Sequence, residues 1–221
     1  MRVDKQSVRA NAGYQLRLVK EGIDDWDRAV SFAVSASPCG STSSLGVRAV
    51  AFKFICNSCN QLHEGVPTFG FDSPAIVEWM PHDQRGERVE LGSDDCVVDG
   101  KRFLVRGCIE ISVVGEEDPF IWGVWIDISA SDFEKWSQAF DLTKRERFGP
   151  FAGYLGSVLP CYPNTFNHHV VMHLRDKGTR PFIEVSKSRH PLHLEQCSGM
   201  THERLKEIYL AVVHGTSDSD T

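Results

Sequence analysis

The residues best equipped for chemistry are Cys56-Asn57-Ser58-Cys59 followed by His63. Two thiolates at CxxC spacing can grip one zinc ion from a tight turn, and His63 lies within reach as a third ligand. A fourth ligand must come from elsewhere. Cys96 is the first candidate, because it stands at a turn-to-strand junction after Ser93-Asp94-Asp95. A complete zinc ribbon would carry a second CxxC, and the chain has none. Two buried, metal-free thiols, or a redox pair, fit the same residues, although no thioredoxin-like βαβ pattern surrounds them.

A second cluster comprises His168, His169 and His173, with His190, His193 and Glu195 further on. A metal-dependent hydrolase built from His173, His190 and Glu195 is the alternative reading. The zincin pattern is excluded, because Val170 stands where a Glu must follow the first His. A third feature is the polar face of a strand. Arg106 and Glu110 point the same way, and Trp125 would join them from the paired strand, either as the floor of a ligand pocket or as a cross-strand ion pair under a helix. Neither a Gly-rich phosphate loop nor a GxSxG elbow occurs.

These residues need a scaffold, and the chain can supply one. Of 221 residues, 41% are hydrophobic and 24% charged, which suits one large domain with a real core. The net charge of −6 argues against nucleic acid and against anionic membrane surfaces as partners, leaving an unknown small molecule or protein. No apolar run is long enough for a spanning helix. Acidic residues from Glu21 to Asp27 precede the small apolar stretch Ala29–Ala36, which is the wrong charge for a secretory leader. Seven cysteines cannot all pair, so we expect a reducing, cytoplasmic compartment.

Residues 1–47 read as an arm, with a helix around Asp25–Val34 and a Ser/Gly/Pro-rich linker over 35–46. Residues 48–214 then form a single α+β domain, and 215–221 a polar tail. Val50–Ile55 reads as a strand running into Cys56, and Pro74–Trp79 as a short helix. Phe103–Val114 and Phe120–Ser129 alternate around an acidic turn, which predicts an antiparallel hairpin. Trp122 and Trp125 lie on opposite faces of one strand, so both faces should be covered. Ser131 to Glu134 fits a capping box, Val170–Arg175 and Phe182–Val185 read as strands, and Thr201 as the cap of a last helix. The expected architecture is a mainly antiparallel sheet with flanking helices.

Several blocks in order carry a family likeness. They include Cys56-x-x-Cys59-x-x-x-His63, Gly70-Phe71-Asp72-x-Pro74, Phe103-Leu104-Val105-Arg106-Gly107-Cys108-Ile109-Glu110-Ile111 and Trp122-Gly123-Val124-Trp125. Leu159-Pro160-x-Tyr162-Pro163, Arg180-Pro181-x-Ile183-Glu184, His190-Pro191-Leu192 and Glu195-Gln196-x-x-Gly199-Met200-Thr201 follow. Over roughly residues 52–212 the chain resembles the bacterial family called domain of unknown function 2199. The resemblance implies a bacterial, cytoplasmic, single-domain protein and implies no particular activity. The chain departs from the family pattern at Ser112, at Asp127 and at Ala152 to Leu155, which bears on any shared pocket near Trp125. On these residues the expected function is a non-catalytic binding or interaction domain with a structural zinc. The metal-dependent hydrolase and a thiol-based redox activity stand as alternatives.

Overall fold

The computed structural model describes residues 7–9, 15–19 and 51–215. The expected helix at Asp25–Val34 and the linker at 35–46 lie outside them. Twelve strands are present among the described residues: β1 (Ser7–Arg9), β2 (Gln15–Val19), β3 (Lys53–Ile55), β4 (Leu62–Glu64), β5 (Thr68–Phe71), β6 (Val89–Leu91), β7 (Asp95–Val98), β8 (Arg102–Ile111), β9 (Phe120–Ile128), β10 (Phe151–Leu155), β11 (His169–His173) and β12 (Phe182–Val185). The helices are α1 (Ala75–Glu78), α2 (His82–Arg88), α3 (Ala130–Ala139), α4 (Pro191–Ser198) and α5 (His202–His214).

The β8–β9 hairpin organises everything else. It pairs in antiparallel register from Phe103↔Ile128 to Ile111↔Phe120. Both strands outrun their outer neighbours, so each edge carries two partners. The first half of β9 takes β5 in parallel, and its last residues take β10 antiparallel. On the other edge, β8 takes β7 at its start and β12, in parallel, at Cys108. Because β10, β11 and β12 pair in succession, the sheet runs from β9 back to β8 and closes. The expected mainly antiparallel sheet is therefore corrected to a closed mixed barrel. Alternation within one strand cannot register this, since closure depends on which distant strand meets each edge.

Closure needs tight approaches. A Cβ on Gly107 would lie 2.6 Å from Ile183 Cδ1, and one on Gly153 would lie 2.7 Å from the Asp127 carbonyl oxygen. Only glycine lets β12 and β10 come this close. The strands β1 and β2 extend the sheet at β5, through Leu16↔Phe71 and its neighbours.

Trp122 and Trp125 are both fully enclosed, so both faces of β9 are covered, as their placement requires. Trp122 packs among Phe69, Phe71 and Phe120. Helix α3 begins two residues before the expected box. Ser129, not Ser131, is the cap, and its side chain accepts the Asp132 N–H at 3.1 Å. Either serine is a competent cap; β9 ends at Ile128 and leaves Ser129 extended, which decides between them.

Helix α5 starts at the expected cap, where the Thr201 hydroxyl accepts the Arg204 N–H. Leu205, Ile208, Tyr209 and Val212 recur at helical spacing and are buried. Burying each such side chain contributes about 1.5–3 kcal/mol, so the helix is firmly seated. Its outer end is thereby brought to the tip of the β3–β4 hairpin.

Candidate metal centre

Strands β3 and β4 form a separate two-stranded ladder, Lys53↔Glu64, Phe54↔His63 and Ile55↔Leu62. The pairing puts Phe54 and His63 on one face and leaves Ile55 and Leu62 outside, exposed. Cys56 and Cys59 occupy the connecting turn. Within it, the Cys56 N–H donates to the Gln61 carbonyl at 2.9 Å and the Asn60 N–H donates to the Cys56 carbonyl at 2.8 Å. Asn60 takes a positive φ of 54°, which asparagine tolerates better than most residues. Both thiols are thus folded back toward His63.

Helix α5 lies along the inner face of this hairpin. The His202 ring meets Phe52 at 5.4 Å, Lys206 Nζ sits 5.3 Å from the Phe54 ring, and Tyr209 meets Phe54 at 5.4 Å and His63 at 4.7 Å. At the near end, Glu116 accepts the Phe52 N–H and pairs with His202 Nε2 at 2.9 Å. At the far end, the last helical residue, His214, reaches Cys56, with Nε2 to Sγ at 3.1 Å. His63 Nε2 lies 3.2 Å from Cys59 Sγ.

Cys56, Cys59, His63 and His214 offer four ligand atoms that all lie within 4.8 Å of one another. A tetrahedral zinc with bonds of about 2.0–2.3 Å requires donor–donor edges of about 3.3–3.8 Å, so small side-chain rotations suffice to seat an ion. Tyr209 completes the arrangement. Its hydroxyl lies 2.8 Å from His63 Nδ1. With Nδ1–H donating to that oxygen, Nε2 is the nitrogen left for a metal. The position at the C-terminal end of α5 also suits a cation, since unpaired carbonyls there carry negative partial charge.

The electrostatics agree. Burial raises the Cys56 thiol, but hydrogen bonds from the backbone of Cys59 and Ser58 outweigh it and hold the group below the ordinary thiol range. The Ser58 N–H lies 3.4 Å from the sulfur. Tyr209 is raised, first by burial and then by the neighbouring thiols of Cys59 and Cys56. Cys56 is buried, Cys59 and His63 are half-buried, and His214 is exposed, so an ion can enter past the helix end.

Cys96, the expected fourth ligand, does not belong to this group. It sits in the core on β7, opposite Leu104, and burial with Asp95 nearby pushes its thiol up to about 12. That environment disfavours the thiolate both as a metal ligand and as a nucleophile. His214 takes the fourth position instead. Nothing local in the sequence marks it, because 158 residues separate it from Cys56 and it stands off the apolar face of α5 as the last helical residue.

The His173, His190 and Glu195 set is not assembled. His173 Nε2 pairs with Glu184 at 2.9 Å. His190 meets the Pro163 carbonyl through Nε2, and its Nδ1 accepts the Leu192 N–H at the start of α4. Glu195 holds Arg204 at 2.8 Å and accepts the Tyr162 hydroxyl. Among the described residues, no other group of three or more His, Cys, Asp or Glu side chains converges as the Cys56 group does.

Arg106, Glu110 and Trp125 are likewise used internally. Arg106 lies directly opposite Trp125, with its guanidinium 5.2 Å from the ring centroid. It donates to the carbonyls of Phe71 and of Ser93, the latter at 3.2 Å, while Trp125 Nε1 donates to the same Phe71 carbonyl at 3.0 Å. Glu110 pairs with Arg175 at 2.6 Å rather than with Arg106. Arg106 and Trp125 lock the end of β5 and the loop before β7 to the hairpin, and Glu110 ties it to the segment after β11.

The family model of uncharacterised proteins conserved in bacteria, domain of unknown function 2199, matches residues 55–200. The chain belongs to this family. The matched span contains Cys56, Cys59 and His63 and stops before α5, so His214 comes from a helix beyond it. No curated protein matches the chain, and no solved structure does. None of the described helices is long and apolar enough to cross a membrane.

Proposed function

We propose that this chain is a non-catalytic binding or interaction domain whose β3–β4 hairpin is pinned to helix α5 by a structural zinc ion held by Cys56, Cys59, His63 and His214. The observation that carries this reading is the convergence of four ligand atoms from two elements far apart in sequence. Two thiolates and two imidazoles in a tetrahedron suit zinc, and four protein ligands leave no open position for a substrate. An ion held this way acts as a cross-link, closing a loop that spans most of the domain. The six described cysteines are free, which accords with a reducing, cytoplasmic location.

The test is the metal content of the untagged full chain by mass spectrometry, beside Cys59→Ser and His214→Ala variants. About one zinc per chain, lost in both variants with a fall in thermal stability, is the expected result. A wild-type chain without metal would remove the reading. Zinc retained in both variants would place the metal elsewhere.

A further inference from the structure

Two of the four ligands are thiols in one turn, and they differ in access. Cys56 is fully enclosed, whereas Cys59 is partly open to solvent. Their sulfurs already belong to a group with no separation above 4.8 Å, so a bond of about 2.05 Å between them requires side-chain rotation within one short turn, not movement of a strand or helix. Among the other described cysteines, Cys197 is half-buried on α4, with Sγ 3.7 Å from His193 Nε2 and no second thiol in its turn. Cys96 and Cys108 are sealed in the interior, and Cys161 stands alone on an exposed turn.

We infer that Cys56 and Cys59 are a peroxide-oxidisable pair whose conversion to a disulfide expels the metal and unpins the end of α5. This rests on the metal reading above. The Cys59 thiolate, the more accessible of the two, attacks one oxygen of hydrogen peroxide. The O–O bond breaks, hydroxide leaves and Cys59 becomes a sulfenic acid. The Cys56 thiolate then attacks the Cys59 sulfur. The S–S bond forms, the S–O bond breaks and a second hydroxide leaves. Two thiolates and one peroxide thus give one disulfide and two hydroxides, with two electrons passing from the sulfurs to the oxygens. A disulfide offers no anionic donor, so His63 and His214 alone remain and zinc passes to solvent. The contacts of Tyr209 with Phe54 and of His202 with Glu116 still hold the body of the helix, which confines the change to its last turn.

The experiment treats the zinc-loaded full chain with graded hydrogen peroxide. Released zinc is read with a chromophoric chelator, and the protein by intact mass and peptide mapping. Zinc release in step with a loss of about two mass units on the Cys56–Cys59 peptide is expected, reversed by a thiol reductant and added zinc. A Cys161→Ser variant should release zinc at the wild-type rate. Retention of zinc under peroxide that oxidises Cys161, or release with sulfinic acid and no disulfide, would overturn the inference. Zinc content before peroxide separates the two claims: a chain without zinc defeats both, and a loaded chain that forms no disulfide defeats only this one.

Discussion

Replacing Tyr209 with Phe removes one oxygen and leaves the ring that packs on His63 and Phe54. The lost group is the hydroxyl 2.8 Å from His63 Nδ1, which fixes the tautomer and aims Nε2 at the site. Loss of such an outer partner lowers metal affinity by about 10–100-fold, or roughly 1.4–2.7 kcal/mol. The aromatic contacts survive, so metal-free stability should change by no more than about 1 kcal/mol. The assay is competition for zinc against a chelator of known affinity, with chemical unfolding of the metal-free forms in parallel. A Tyr209→Phe chain that binds zinc within about twofold of wild type would refute the claim that this hydroxyl orients a ligand. Equal loss of metal-free stability and affinity would show that the residue acts through packing alone.

Further outcomes follow from the same geometry. A Cys96→Ala chain should keep its zinc while losing about 1–2 kcal/mol in urea unfolding, because the thiol fills core space and ligates nothing. Arg106→Leu should destabilise by about 1–3 kcal/mol, since the Ser93 carbonyl loses its side-chain donor and the Phe71 carbonyl keeps only the one from Trp125, whereas Glu110→Gln should cost about 1 kcal/mol or less. Gly153→Ala should cost about 1–3 kcal/mol, because its Cβ meets the Asp127 carbonyl at 2.7 Å and β10 must shift. His168 is held below the ordinary histidine range by burial first and then by His190, His169 and His193. Its stabilising contribution is therefore present above about pH 6.5 and lost as pH falls through the lower folded value. Unfolding measured from pH 8 to 5 should show that decline, and it should flatten in a His168→Gln chain.

Much of the fold was legible where the governing interactions are local. The Phe103 and Phe120 runs formed the expected hairpin because alternation and an acidic turn determine pairing between neighbours. Thr201 capped the last helix because its hydroxyl needs only the next turn. Barrel closure was not legible, since it depends on Gly107 and Gly153 admitting strands distant in sequence. The candidate site divides along the same line. Cys56, Cys59 and His63 share one hairpin and announce themselves by spacing. His214 belongs to them only because α5 folds back along Phe54, a contact with no local signature. Cys96, beside a turn, has the spacing of a fourth ligand, but its strand phase turns it into the core. Arg106 and Glu110 do share a strand face, yet each found a nearer partner from another element.

X-ray absorption at the zinc edge of the purified full chain decides whether Cys56, Cys59, His63 and His214 form a closed four-ligand zinc site. The expected shell holds two sulfurs at about 2.3 Å and two nitrogens at about 2.0–2.1 Å, with no bound water. A shell with a water oxygen and fewer protein ligands would indicate an open, reactive site, and absence of zinc from the chain would contradict the account outright.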